Sequence, residues 1–102
     1  MRLADLMELD VKGWTLVEYK MGRMMNAELG RARILEVSLQ GGMFSIKTDA
    51  PKSAHLTFNL GLCEMPQIYR DGLIFRFQSP MGWWYAIAPP GRDVPLVRAL
   101  AR

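Results

Sequence analysis

The stretch Arg31-Ala32-Arg33-Ile34-Leu35-Glu36-Val37-Ser38-Leu39-Gln40-Gly41-Gly42-Met43-Phe44-Ser45-Ile46-Lys47-Thr48 decides the fold class. From Arg31 to Leu39 apolar residues alternate with polar ones: Ile34 stands against Leu35, then Val37 and Leu39 against Glu36 and Ser38. A period of two is the mark of a half-buried strand. Gly41-Gly42 interrupts the run, and Met43 to Thr48 resumes it. Two alternating runs around a Gly-Gly pair predict a β-hairpin.

The same pattern recurs outward from this hairpin. Leu56, Phe58 and Leu60 alternate with His55, Thr57 and Asn59, which predicts a strand over 55–60. Asp71-Gly72 marks a turn after Ile68-Tyr69-Arg70. Leu73 to Gln78 then reads as a strand with Leu73, Phe75 and Phe77 inward and Arg76 and Gln78 outward. Trp83 to Ala88 is the last strand, stopped by Pro89-Pro90-Gly91 because proline cannot donate to a ladder. Upstream, Trp14 to Lys20 is rich in β-branched and aromatic residues, but its odd and even positions are not cleanly divided. Two short helical segments are expected at the ends. One covers the first nine residues, with Leu3, Leu6 and Met7 at helical spacing. The other runs from Asp93 to Arg102, with Pro95 in its first turn and Leu96, Val97 and Leu100 on one side. Six short strands separated by Gly/Pro turns predict a mainly-β fold, a small six-stranded antiparallel barrel.

The chain has 102 residues and half of them are hydrophobic, so 1–102 reads as a single domain without repeats or linkers. Charged residues make up 23%, which is ordinary globular usage and argues against disorder. The longest uncharged run, Phe77 to Gly91, is broken by Pro80, Gly82, Pro89 and Pro90, so no membrane span is expected. Asp5, Glu8 and Asp10 interrupt any apolar segment of a signal peptide. Cys63 is the one cysteine, which excludes an internal disulfide and fits a reducing, cytoplasmic compartment. The net charge of +3 arises in the second half: residues 52–102 carry six Lys/Arg against three Asp/Glu, whereas 1–51 carry seven of each. So mild a bias permits a phosphate-bearing partner without requiring one.

Enzyme chemistry has little to stand on, and a non-enzymatic protein without a required cofactor is expected. His55 and Cys63 are the one histidine and the one cysteine, without a local nucleophile signature. They cannot complete a tetrahedral zinc site, and no carboxylate sits at ligand spacing. Trp83-Trp84-Tyr85 concentrates aromatics, with Trp83 and Tyr85 on one face and Trp84 on the other. That arrangement serves either a core and its rim or a stacking surface. The most specific feature remains the first hairpin. Glu36 and Ser38, two apart on a strand, project from one face, and Gly41 lets the backbone turn sharply and a ligand come close. A carboxylate accepts from the N–H edge of guanine, while Ser and backbone N–H groups donate to phosphate. The same residues also suit the solvated face of a plain hairpin. Arg31 and Arg33 share a strand face too, and a bulge decides whether it is the face of Glu36 and Ser38.

Glu36-x-Ser38-x-x-Gly41, followed by Gly42 and Met43, resembles the Asp/Asn-x-Ser-x-x-Gly signature of the PilZ domain family. The order of strands over residues 14 to 90 is similar to that family as well. PilZ domains are six-stranded β-barrels, and many bind the bacterial second messenger cyclic di-GMP. The resemblance implies that Glu36 and Ser38 contact the guanine and phosphate region of that ligand, with Gly41 as the third position carried over. Two departures stand out. Glu36 is one methylene longer than Asp, and the Arg-x-x-x-Arg that in the family lies in a loop before the barrel and wraps over the ligand does not precede the barrel here. That spacing occurs only at Arg98 and Arg102, at the other end of the chain.

The first functional expectation is therefore a PilZ-like regulatory module binding cyclic di-GMP through Glu36, Ser38 and Gly41, with Arg31 and Arg33 as basic helpers. The second is a protein-interaction adaptor on the same barrel, carrying an exposed patch around Met65, Met81 and Trp84. A third, binding of single-stranded nucleic acid, requires Trp84 and Arg76 on one exposed face.

Overall fold

The computed structural model describes Leu6 and residues 8–50, 55–59, 67–79 and 82–98, with 55–59 described as backbone. Seven strands follow in chain order: β1 (Thr15–Lys20), β2 (Ala27–Gln40), β3 (Met43–Thr48), β4 (His55–Asn59), β5 (Ile68–Asp71), β6 (Ile74–Gln78) and β7 (Trp84–Ala88). All pairings are antiparallel, and the sheet order is β4-β3-β2-β1-β7-β6-β5. The mainly-β expectation holds. The seventh strand is the short β5, formed by the residues that lead into the Asp71-Gly72 turn. Among the described residues no ladder joins β4 to β5, so the sheet is open as described.

The β2–β3 hairpin forms over the predicted residues. Gln40 pairs with Met43, and the two loop residues Gly41 and Gly42 have φ of 57° and 75°. Positive φ at both positions gives the turn whose twist matches that of the strands, and glycine adopts it without a Cβ penalty.

β2 is long enough to serve two neighbours. Its first half, Ala27 to Arg33, pairs with β1, and its second half, Ile34 to Gln40, pairs with β3. The sheet bends where the partner changes. The main core fills the concave side with Leu16, Phe75, Phe77, Tyr85 and Ile87 from one half and Ile34, Phe44 and Ile46 from the other. Leu6 and Val11 of the N-terminal segment join this core. Trp14 joins them, its ring stacked 6.1 Å from Phe75.

A second cluster covers the convex side of β1, β7 and β6. It comprises Val17, Tyr19, Ile74, Trp84, Ala86, Ala88 and Val94, with Met21, Tyr69 and Leu96 packed against it. The irregular alternation of β1 follows: Leu16 faces the main core, Val17 and Tyr19 the second cluster, and all three are buried.

Several expectations need correction here. Asp93 to Arg98 is not helical; this segment crosses the convex face as an irregular strap, and residues 99–102 lie outside the described set. A short segment with Pro95 near its start gains too little from helical hydrogen bonds. Instead the carbonyls of Leu96 and Val97 accept from Asn26 Nδ2 at 2.6 Å and from the Tyr19 hydroxyl at 2.7 Å. Of the expected N-terminal helix only Leu6, Glu8 and Leu9 are described; Leu6 is buried and its carbonyl accepts from the Leu9 amide at 3.1 Å. Leu73 is not inward but 46% exposed, because it sits in the turn after Gly72. Arg76 does point away from the main core, yet it is buried, since the strap and second cluster cover that face.

Candidate functional site

The hairpin residues singled out by the sequence sit around two bulges in β2. Between β1 and β2 the register shifts after Glu18, which opposes Gly30, to Tyr19, which opposes Glu28. Leu29 is the extra residue. Between β2 and β3 the register shifts from the Ile34–Thr48 pair to the Glu36–Lys47 pair, and Leu35 is the extra residue. A bulge adds one residue to one strand and changes the phase of everything beyond it.

The second bulge answers the question of the two arginines. Arg31 opposes Val17 of the convex cluster, so Arg31 and Arg33 lie on the convex side. Beyond Leu35, Val37 opposes Ile46 and Leu39 opposes Phe44, both buried in the main core. Glu36 and Ser38, opposite Lys47 and Ser45, therefore lie on the convex side as well. Strict alternation from Ile34 would have turned them into the core. Arg31, Arg33, Glu36 and Ser38 thus occupy one side of one strand, which ends at the Gly41 turn.

Their partners are modest. Arg31 Nη2 bonds Glu28 Oε1 at 2.8 Å, on side chains 49% and 38% exposed. This pair is three apart in sequence yet shares a face because Leu29 is bulged out. Arg33 Nε lies 3.6 Å from Asp49 Oδ2, and its backbone N–H donates to Asp49 Oδ1 at 2.8 Å. Exposed ion pairs of this kind are worth at most about 1 kcal/mol, so both guanidinium groups can be drawn to another anion at little cost. Beside them, where β2 has left β1, a groove of about 590 Å³ runs between Glu8–Lys12 and Leu35–Val37. Its charged lining is Glu8, Asp10, Lys12 and Glu36, so the groove is acidic on balance. Among the described residues no three His, Cys, Asp or Glu side chains gather as metal ligands. Cys63 lies outside the described residues.

The aromatic expectations divide. Trp83 is 37% exposed, while Trp84 and Tyr85 are buried, Trp84 in the convex cluster and Tyr85 in the main core. Tyr85 stacks on Phe77 at 5.3 Å. Burial, with the Glu18 carboxylate as acceptor and neighbour, pushes its phenol above the ordinary tyrosine range. Trp84 and Arg76 lie on one side of the sheet, but both are buried, so they form no exposed stacking face. For the patch expected around Met65, Met81 and Trp84, Trp84 is buried and the two methionines lie outside the described residues.

Beneath the strap Arg76, expected beside Trp84 on an exposed face, is instead buried against Tyr19, a pairing without a local sequence pattern. Arg76 Nη1 donates to the Tyr19 hydroxyl at 2.8 Å, and that hydroxyl donates to Val97. The guanidinium also lies 5.8 Å from the centre of the Tyr19 ring. One signal pointed there: every residue of Trp84-Tyr85-Ala86-Ile87-Ala88 is apolar or aromatic, as a strand buried on both faces requires.

No family model, no curated protein and no solved structure matches this chain. Among the described residues no helix is long and apolar enough to cross a membrane.

Proposed function

We propose that the chain is a non-enzymatic regulatory module, a small PilZ-like β-barrel closed between β4 and β5, that binds cyclic di-GMP on the convex side of β2. One observation carries the reading: the Leu35 bulge brings Arg31 and Arg33 to the side of Glu36 and Ser38. Two guanidinium groups suit the two phosphates of a cyclic dinucleotide, and Ser38 adds a donor. Glu36, at the acidic groove, offers an acceptor to the N–H edge of guanine. The glycine turn at Gly41 lets a ligand lie close to the backbone. Arg31 and Arg33 take the part that an N-terminal arginine motif plays in the family. The barrel itself is supported by the curl of the sheet, which brings Phe44 of β3 into contact with Phe77 of β6.

Calorimetric titration with cyclic di-GMP, with GMP as control, tests the reading. Micromolar binding that Ser38→Ala and Arg31→Ala each weaken at least tenfold supports it. No heat at high ligand concentration would overturn it. A ligand-free adaptor is the second reading, and it is favoured by one observation: Met24 and Met25, in the β1–β2 connection, are 98% and 77% exposed. Methionine is flexible and polarisable, and suits a protein contact.

A further inference from the structure

Arg76 is 1% exposed, and its Nε and Nη2 have no hydrogen-bond partner among the described residues. The guanidinium brings a positive charge and five N–H donors into this buried position. An uncompensated buried charge is strongly unfavourable, and each buried N–H without an acceptor adds to that. The Tyr19 ring and hydroxyl offset only part of it. Both ion pairs found among the described residues, Glu28–Arg31 and Arg33–Asp49, leave Arg76 out. Asp71 on β5 and Asp93 on the strap are both exposed.

The identity of the two unpartnered nitrogens is informative. Nη1 points along one side of the guanidinium, and Tyr19 occupies it. Nε and Nη2 form the opposite edge, whose two parallel N–H bonds match the two oxygens of a carboxylate or phosphate. We infer that Arg76 is the floor of an anion-binding site under the 92–98 strap, and that it takes a two-oxygen anion, carboxylate or phosphate, side-on. Tyr69 opposes Arg76 on the edge strand β5, and Leu96 lies on the strap. Both are half-buried, so entry runs between the strap and that edge. The site is separate from the β2 surface. A register row Arg31–Val17–Ala86–Arg76 crosses the sheet. At strand spacing it puts the two arginine backbones on the order of 14 Å apart.

The test follows the Arg76 Nε–H resonance of the isotopically labelled protein during titration with sodium phosphate and, separately, sodium acetate, at ionic strength held constant with chloride. Movement and saturation with phosphate or acetate, but not chloride, supports the site, and the anion that acts at lower concentration names the class. The thermal midpoint should rise with the same anion and stay flat in Arg76→Lys, which keeps the charge but loses the fork. A resonance that no anion moves would overturn the inference, whatever happens at Arg31 and Arg33. So would equal stabilisation of wild type and Arg76→Lys.

Discussion

The ring of Phe44 in β3 lies 6.5 Å from the ring of Phe77 in β6, although three strands separate β3 and β6 in the sheet. Only a strongly curled sheet makes that contact, and both rings are fully buried. Phe77→Ala should cost about 3–5 kcal/mol, and Phe44→Ala a similar amount, because each leaves a cavity that the curled sheet cannot collapse. Denaturant unfolding of both single variants and the double variant checks this. The double variant should fall short of the sum by more than about 0.5 kcal/mol, the sign of coupling across the core.

Side-chain orientation beyond the Leu35 bulge gives a second prediction. Val37 packs on the main core, whereas Glu36 and Ser38 lie on the convex side. Val37→Asp should lose more than about 2 kcal/mol by driving a charge toward apolar surroundings. Glu36→Ala and Ser38→Ala should stay within about 0.5 kcal/mol of wild type. Urea unfolding distinguishes this phase from strict alternation, which predicts the reverse order. The mild effect of Ser38→Ala also makes it a clean variant for binding work.

Tyr19 links the strap to the sheet, since its hydroxyl accepts from Arg76 and donates to Val97. Tyr19→Phe should cost about 1–3 kcal/mol, because it leaves the buried Arg76 Nη1 unsatisfied and frees the Val97 carbonyl. It should also loosen the strap, so limited trypsin digestion should cut after Arg92 faster than in wild type. Unchanged digestion would separate the strap from this hydroxyl.

The same tyrosines set an alkaline limit. Burial raises the Tyr19 pKa above its ordinary 10.0 despite the opposing pull of Arg76, and burial with Glu18 raises that of Tyr85. A raised folded-state pKa means the native state holds the proton more tightly than the unfolded chain. Their contribution to stability is therefore complete below about pH 10 and is lost as pH rises from there through the raised values. Tyrosinate absorbance should show two phenols ionising late, together with unfolding, and Tyr85→Phe should shift the alkaline unfolding midpoint upward.

The strands were legible in the sequence because their alternation is local. Gly41-Gly42 gave the hairpin, and Leu56-Phe58 gave β4. The phase slip in Ile34-Leu35-Glu36-Val37 was visible as two adjacent apolar residues, but its meaning depended on which strand pairs with each half of β2. The strap was not legible. Asp93 to Arg98 has weak helical spacing, and the interactions that override it are contributed by Tyr19 and Asn26, more than 65 residues away. Arg76 misled for the same reason, because a charged residue between two phenylalanines reads as solvent-facing unless the cover over that face is known.

Amide resonance mapping with cyclic di-GMP tests the function on β2 most directly. Saturating shifts at Arg31, Arg33, Glu36, Ser38 and Gly41, at micromolar ligand, are the predicted result, with the amides of β5 and β6 unmoved. Amides of β2 that stay unmoved at millimolar ligand, or shifts confined to another surface, would contradict it.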